Sequence, residues 1–146
     1  MMMSFLPNIH VAFKGRIAEK KRIEKYVKSV LHYLYPRMKR NITVDIHISN
    51  VLEDYAYGYC LGDRQGVTIE LGRIDPLTGS RLDMSKMMLT LAHELVHAKQ
   101  FLKGELSPQM KNWKTIPHEG IPYSRQPWER EAYKKEEFLH HMFWEV

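Results

Sequence analysis

Apolar residues along the chain fall into two periods. From Arg16 to about Tyr35, Ile17, Ile23, Val27, Val30, Leu31 and Leu34 recur near helical spacing and predict an amphipathic helix that Pro36 ends. The period then drops to two. Ile42, Val44, Ile46 and Ile48 alternate with polar residues and predict a strand. Tyr55–Leu61, interrupted by Gly58, and Gly66–Leu71 predict two more, with Gly62–Gly66 as the turn of a hairpin. Arg73–Arg81 reads as a loop punctuated by Pro76 and Gly79.

The helical period returns at Met84. Asp83 is placed to cap a helix running to about Leu102, with an apolar stripe of Met84, Met87, Met88, Leu91, Leu95, Ala98 and Leu102 and with Gly104 as its stop. Glu105–Gln126 carries Pro108, Pro117 and Pro122 and is irregular; a segment that long is commonly functional. Pro127 suits the first turn of a final helix that ends near Trp144. Strands cluster instead of alternating with helices, which predicts an α+β fold with a small mixed or antiparallel sheet of about three strands.

Length fits one domain spanning 1–146, and 44% hydrophobic with 27% charged residues is ordinary for a globular chain. Order is expected throughout except at the extreme N-terminus. The lone Cys60 excludes a disulfide framework and reads as a small half-buried hydrophobe. No secretion signal or membrane span is visible, so the expectation is a cytoplasmic protein that does not engage a membrane. The net charge of +5 is concentrated between Lys14 and Arg40, where ten basic residues face only Glu19 and Glu24. That segment can meet nucleic acid or another polyanion, or it can simply solvate a helix face.

Residues 93–97 read His-Glu-Leu-Val-His. Residues four apart lie on one helix face, so His93 and His97 can reach one zinc ion, while Glu94 can take a proton from a water on the ion's open position. The core stripe at Leu91, Leu95 and Ala98 faces away from the two histidines, which share their side with Thr90 and Gln100. The expectation is one zinc per chain, with Glu94 as general base.

The segment Leu91–Gln100 resembles the active-site helix of the zincin metallopeptidases. The resemblance implies a minimal zincin-like domain that cleaves peptide bonds in a protein or peptide substrate. It also implies an edge strand just before the helix, a place Gly66–Leu71 would fill, with substrate added as a further strand. Catalytic zinc usually takes a third protein ligand. Lys103 departs from the metzincin pattern, and Phe101 departs from the SprT-like one. Pro127-Trp128-Glu129-Arg130-Glu131-Ala132 resembles the gluzincin ligand segment and implies Glu129, with Glu131 and His118 as alternatives. Tyr133 stands where that pattern usually has Asp.

Taken together, HExxHxxQ and this later segment are similar to short metallopeptidase-like proteins of bacteria and phages, over about residues 66–135. Zincins often place a Tyr or His opposite the metal to stabilise an oxyanion, and Tyr123 and His118 are the candidates, each balanced against an ordinary loop role. Trp113, Trp128, Tyr133, Phe138 and Trp144 read as core, and His140 and His141 as surface. The competing class is a non-proteolytic zincin-fold protein that binds nucleic acid or a protein partner through its basic N-terminal helix.

Overall fold

The computed structural model describes residues 9–145; the N-terminal segment expected to be poorly ordered lies almost wholly outside them. In chain order the regular elements are β1 (Ile9–Lys14), α1 (Lys20–Leu34), β2 (Ile42–Ser49), β3 (Gly58–Gly62), β4 (Gly66–Gly72), α2 (Met84–Lys103), the short hairpin β5 (Asn112–Trp113) and β6 (Ile116–Pro117), and α3 (Pro127–Phe143). The fold is α+β, as the pattern predicts.

The sheet has four strands, not three, in the order β1-β2-β4-β3. β1, β2 and β4 are parallel, and β3 runs antiparallel to β4 on the outer edge. β1 is the strand the pattern analysis did not identify, although Ile9, Val11 and Phe13 alternate. Register aligns Val11 with Val44, Val44 with Val67, and Ile46 with Ile69, so the inward side chains form one continuous apolar face. The opposite face of β2 carries Thr43, Asp45, His47 and Ser49, which stay half-exposed. A period of two thus buries one face only, and the helices cover it.

α1 begins at Lys20, four residues later than its apolar spacing suggests, because Gly15 (φ +98°) and Glu19 (φ +60°) turn the chain first. A Cβ at Gly15 would sit 2.5 Å from the Ile48 carbonyl oxygen, so only glycine allows this close return against β2. Tyr26 of α1 is buried and donates to the Met88 carbonyl of α2 at 2.9 Å. Two of the ten basic residues serve the fold. Arg22 stacks 3.6 Å over the Trp144 ring, and Arg40 donates to the carbonyls of Arg64 and Leu102.

α2 is the central helix. Asp83 accepts from the Lys86 amide at 2.8 Å, and Gly104, at φ +78°, closes the C-terminus. From Leu91 to Leu102 every residue is buried. The side expected to open onto a cleft is therefore largely covered, chiefly by α3. Trp128 and Ala132 of α3 belong to the same core as Leu91, Leu95 and Ala98. Full burial of side chains such as Leu95 and Phe101 contributes about 1.5–3 kcal/mol each. Among the described residues no helix is long and apolar enough to cross a membrane.

Candidate metal centre

His93 and His97 stand one turn apart on α2, and Glu129 lies in the first turn of α3, where Pro127 starts the helix. A carboxylate there also faces the positive end of the helix dipole. Glu129 Oε1 lies 3.0 Å from His93 Nε2 and 3.1 Å from His97 Nε2. Among the described residues these three form a group able to hold a metal ion. Ligands about 2.0–2.1 Å from a tetrahedral zinc sit roughly 3.3 Å apart, close to both histidine–Glu129 separations.

Hydrogen bonding fixes the ring orientations. His93 Nδ1 faces Glu136 Oε1 at 2.9 Å, and a carboxylate can only accept, so Nδ1 carries a hydrogen. Gln100 Nε2 lies 2.9 Å from both the Trp128 carbonyl and Glu131 Oε1, which identifies it as the amide nitrogen. Gln100 Oε1 therefore faces His97 Nδ1, 2.8 Å away, and accepts its hydrogen. Both Nε2 atoms are left directed at the Glu129 carboxylate. Neutral rings would oppose their lone pairs to it, so the arrangement requires a cation between them, either a metal ion or protons. The donor set fits zinc.

In the metal-free protein, protons take that role. Burial disfavours a charged His93, but hydrogen bonds to Glu129 and Glu136 outweigh it and push its pKa up to about 9. His97 is likewise raised, burial being overcome by Glu129 and Glu94. Burial opposes ionisation of Glu129, yet the two histidines hold it at about 2. Glu94 is buried beside this group, and burial pushes it up to about 7 against the pull of His97 and His93.

A cleft of about 450 Å³ opens over His93 and Glu94. Tyr123 and Tyr133 line one wall, and Tyr57 and Gly58 lead from the opposite wall into β3. The edge strand beside the site is therefore β3. Gly66–Leu71, expected there, lies inside the sheet as β4 between β2 and β3. The expectation failed because the hairpin places its second strand inward, which local sequence does not encode. Gly58 is needed at this wall, since a Cβ would lie 2.8 Å from Thr90 Cγ2.

The other candidates divide. Tyr123 is at the site: its hydroxyl donates to Glu129 Oε1 and also bonds the Tyr133 hydroxyl, both at 3.1 Å. Glu131 turns away to Lys99, Gln100 and Lys135, and burial is outweighed by these partners, which hold it at about 2. His118 Nδ1 donates to the Ile116 carbonyl and its ring stands 6.1 Å from Trp128; it joins neither the metal group nor the cleft.

Sequence reasoning missed Glu136 and the position of Tyr133. Tyr133 is exposed, not core, and its ring lies 4.5 Å from that of His93. Glu129, Tyr133 and Glu136 follow i, i+4, i+7 spacing on α3, and that shared face was the available signal. Phe138 is also exposed instead of core. His140, expected at the surface, is buried against Ser85, while His141 is exposed. Cys60, expected half-buried, is buried, and burial pushes its thiol well up.

No protein-family model matches the chain, and no curated protein does. Among solved structures, a crystal structure of Wss1 from Saccharomyces cerevisiae is similar at 17% identity with a TM-score of 0.43, covering 97% of this chain and 92% of that one. A crystal structure of a Wss1 mutant is similar at 17% identity with a TM-score of 0.42, covering 97% and 94%. Similarity this remote leaves the chemistry to be argued from this chain's own residues.

Proposed function

We propose that this protein is a zinc-dependent hydrolase of peptide bonds, with His93, His97 and Glu129 holding the metal and Glu94 acting as general base. The observation that carries the reading is the convergence of two oriented Nε2 atoms and one carboxylate oxygen beside a buried glutamate at an open cleft. When bound, zinc supplies a Lewis acid that acidifies water and polarises a carbonyl.

The chain's own groups do the rest. Glu136 and Gln100 keep both Nδ1–H tautomers, so Nε2 is the donor atom of each ring. Glu94, buried beside the metal group and lining the cleft, accepts a proton from the attacking water and delivers it to the leaving nitrogen. Tyr123, on the cleft wall, turns its hydroxyl hydrogen from Glu129 to the oxygen on which charge develops, and Tyr133 bonds the same hydroxyl. Ala56–Gly58 and the outer edge of β3 offer main-chain groups to an extended peptide, which favours a substrate bound as an added strand.

Glu94→Gln tests this on zinc-loaded protein with an unfolded protein substrate. The variant retains its zinc and loses turnover by about 10²–10⁴-fold, the usual worth of a general base. Wild-type turnover in that variant would remove Glu94 from the mechanism.

A further inference from the structure

A second concavity, of about 430 Å³, lies outside the metal cleft and shares no lining residue with it. Arg16, Arg73 and Arg81 line it, over a floor that includes Leu82, Met84 and Met87. None of its lining residues is acidic. Among the described residues no carboxylate forms an ion pair with any of the three arginines. Arg73 Nε is fully buried and has no hydrogen-bond partner. A buried guanidinium nitrogen left unmatched is costly, because it has given up water without a replacement.

The topology concentrates this charge. β1, β2 and β4 are parallel, so their C-terminal ends share one side of the sheet. Arg73 follows β4 directly, and its amide bonds the Ser49 carbonyl at the end of β2. Arg16 follows Gly15, the residue packed against Ile48. Arg81 is held by its bridge to Ile74. Leu82 and Met84 flank Asp83, whose carboxylate caps the start of the 20-residue helix α2, so the positive charge of the concavity comes from its arginines. Crevices at the carboxyl ends of parallel strands are where open sheets take ligands.

We propose that this concavity is a binding site for a phosphoryl dianion carried on a small apolar or aromatic body. Three guanidinium forks match the three oxygens and double charge of a phosphate monoester better than a carboxylate, which offers two oxygens and one charge. The thioether and leucine floor takes the organic part, since Met side chains adapt to irregular apolar shapes. The site stands on residues independent of the metal centre, so it holds or fails regardless of the proposed peptidase chemistry.

Calorimetric titration of the metal-free, full-length protein with phenyl phosphate, inorganic phosphate and benzoate tests it. Phenyl phosphate binds once per chain, more tightly than either other probe, and more weakly as salt rises. Arg73→Gln and Arg81→Gln each weaken it about tenfold or more. Arg81 is exposed, so its variant keeps the fold even if Arg73→Gln does not. In the wild type, the Arg73 Nε–H resonance shifts on addition of phenyl phosphate. Absence of saturable binding, equal binding by Arg81→Gln, an unmoved Arg73 resonance, or benzoate binding as tightly as phenyl phosphate would each overturn the assignment.

Discussion

Glu136→Ala is expected to weaken zinc binding without removing any ligand. Glu136 accepts from His93 Nδ1 at 2.9 Å, and the two side chains are only 18% and 11% exposed. Water screens such a pair little, so the carboxylate both orients the ring and makes Nε2 more basic. Removing a partner of this kind typically costs 10–100-fold in metal affinity, about 1.4–2.8 kcal/mol. Tyr133 still packs 4.5 Å from the His93 ring and restrains it, so a loss near the middle of that range, about thirtyfold, is expected.

Zinc and protons compete for the His93 ring. At neutral pH the metal must displace a proton from His93, whose metal-free pKa is about 9. Glu136 strengthens the hold on that proton too, so its loss is partly masked below that pH and fully expressed above it. The assay is competition against a chromophoric chelator at neutral pH and again above the His93 value. Glu137→Ala, at an exposed neighbouring position, serves as the control. Glu136→Gln, which keeps an acceptor oxygen, should fall between wild type and Glu136→Ala. Zinc affinity of Glu136→Ala within about twofold of wild type at both pH values would refute the argument that this carboxylate tunes the site.

Two further outcomes follow from the same network. His93 is raised from 6.5 to about 9, so its contribution to metal-free stability is full below 6.5 and lost as pH rises through 9. Glu129 is lowered from 4.5 to about 2, so its contribution is present above 4.5 and lost as pH falls through 2. Thermal melts across pH should therefore show the metal-free protein weakening between 6.5 and 9 while stabilisation by zinc grows; a metal-free Tm that rises over that interval would contradict the assignment. Lys99, only 5% exposed, bridges Glu105 and Glu131 at 2.8 Å, and Lys99→Ala should cost about 2–4 kcal/mol, chiefly by stranding Glu105, since Glu131 keeps Gln100 and Lys135. Denaturant unfolding would detect this, and a loss below about 1 kcal/mol would mean that water or Lys135 replaces the amine.

What the sequence disclosed was local, and what it withheld was not. α2 is legible because its stripe, Asp83 cap and Gly104 stop all lie within or beside the helix. The spacing of His93, Glu94 and His97 is a property of one turn. Glu129 was reachable only through resemblance, since 32 residues separate it from His97. Glu136 was missed because its link to His93 spans 43 residues and exists only once α3 packs on α2. The inward position of β4 has the same cause: alternation identifies a strand but does not say which neighbours it takes. His140 shows the converse, a polar residue buried by packing that its own helix pattern does not require.

The most direct measurement is elemental analysis of protein purified without chelators, wild type beside His93→Ala, with circular dichroism confirming that both are folded. The account predicts one zinc per wild-type chain and none retained by the variant. Folded wild-type protein that holds no metal after incubation with zinc would contradict it.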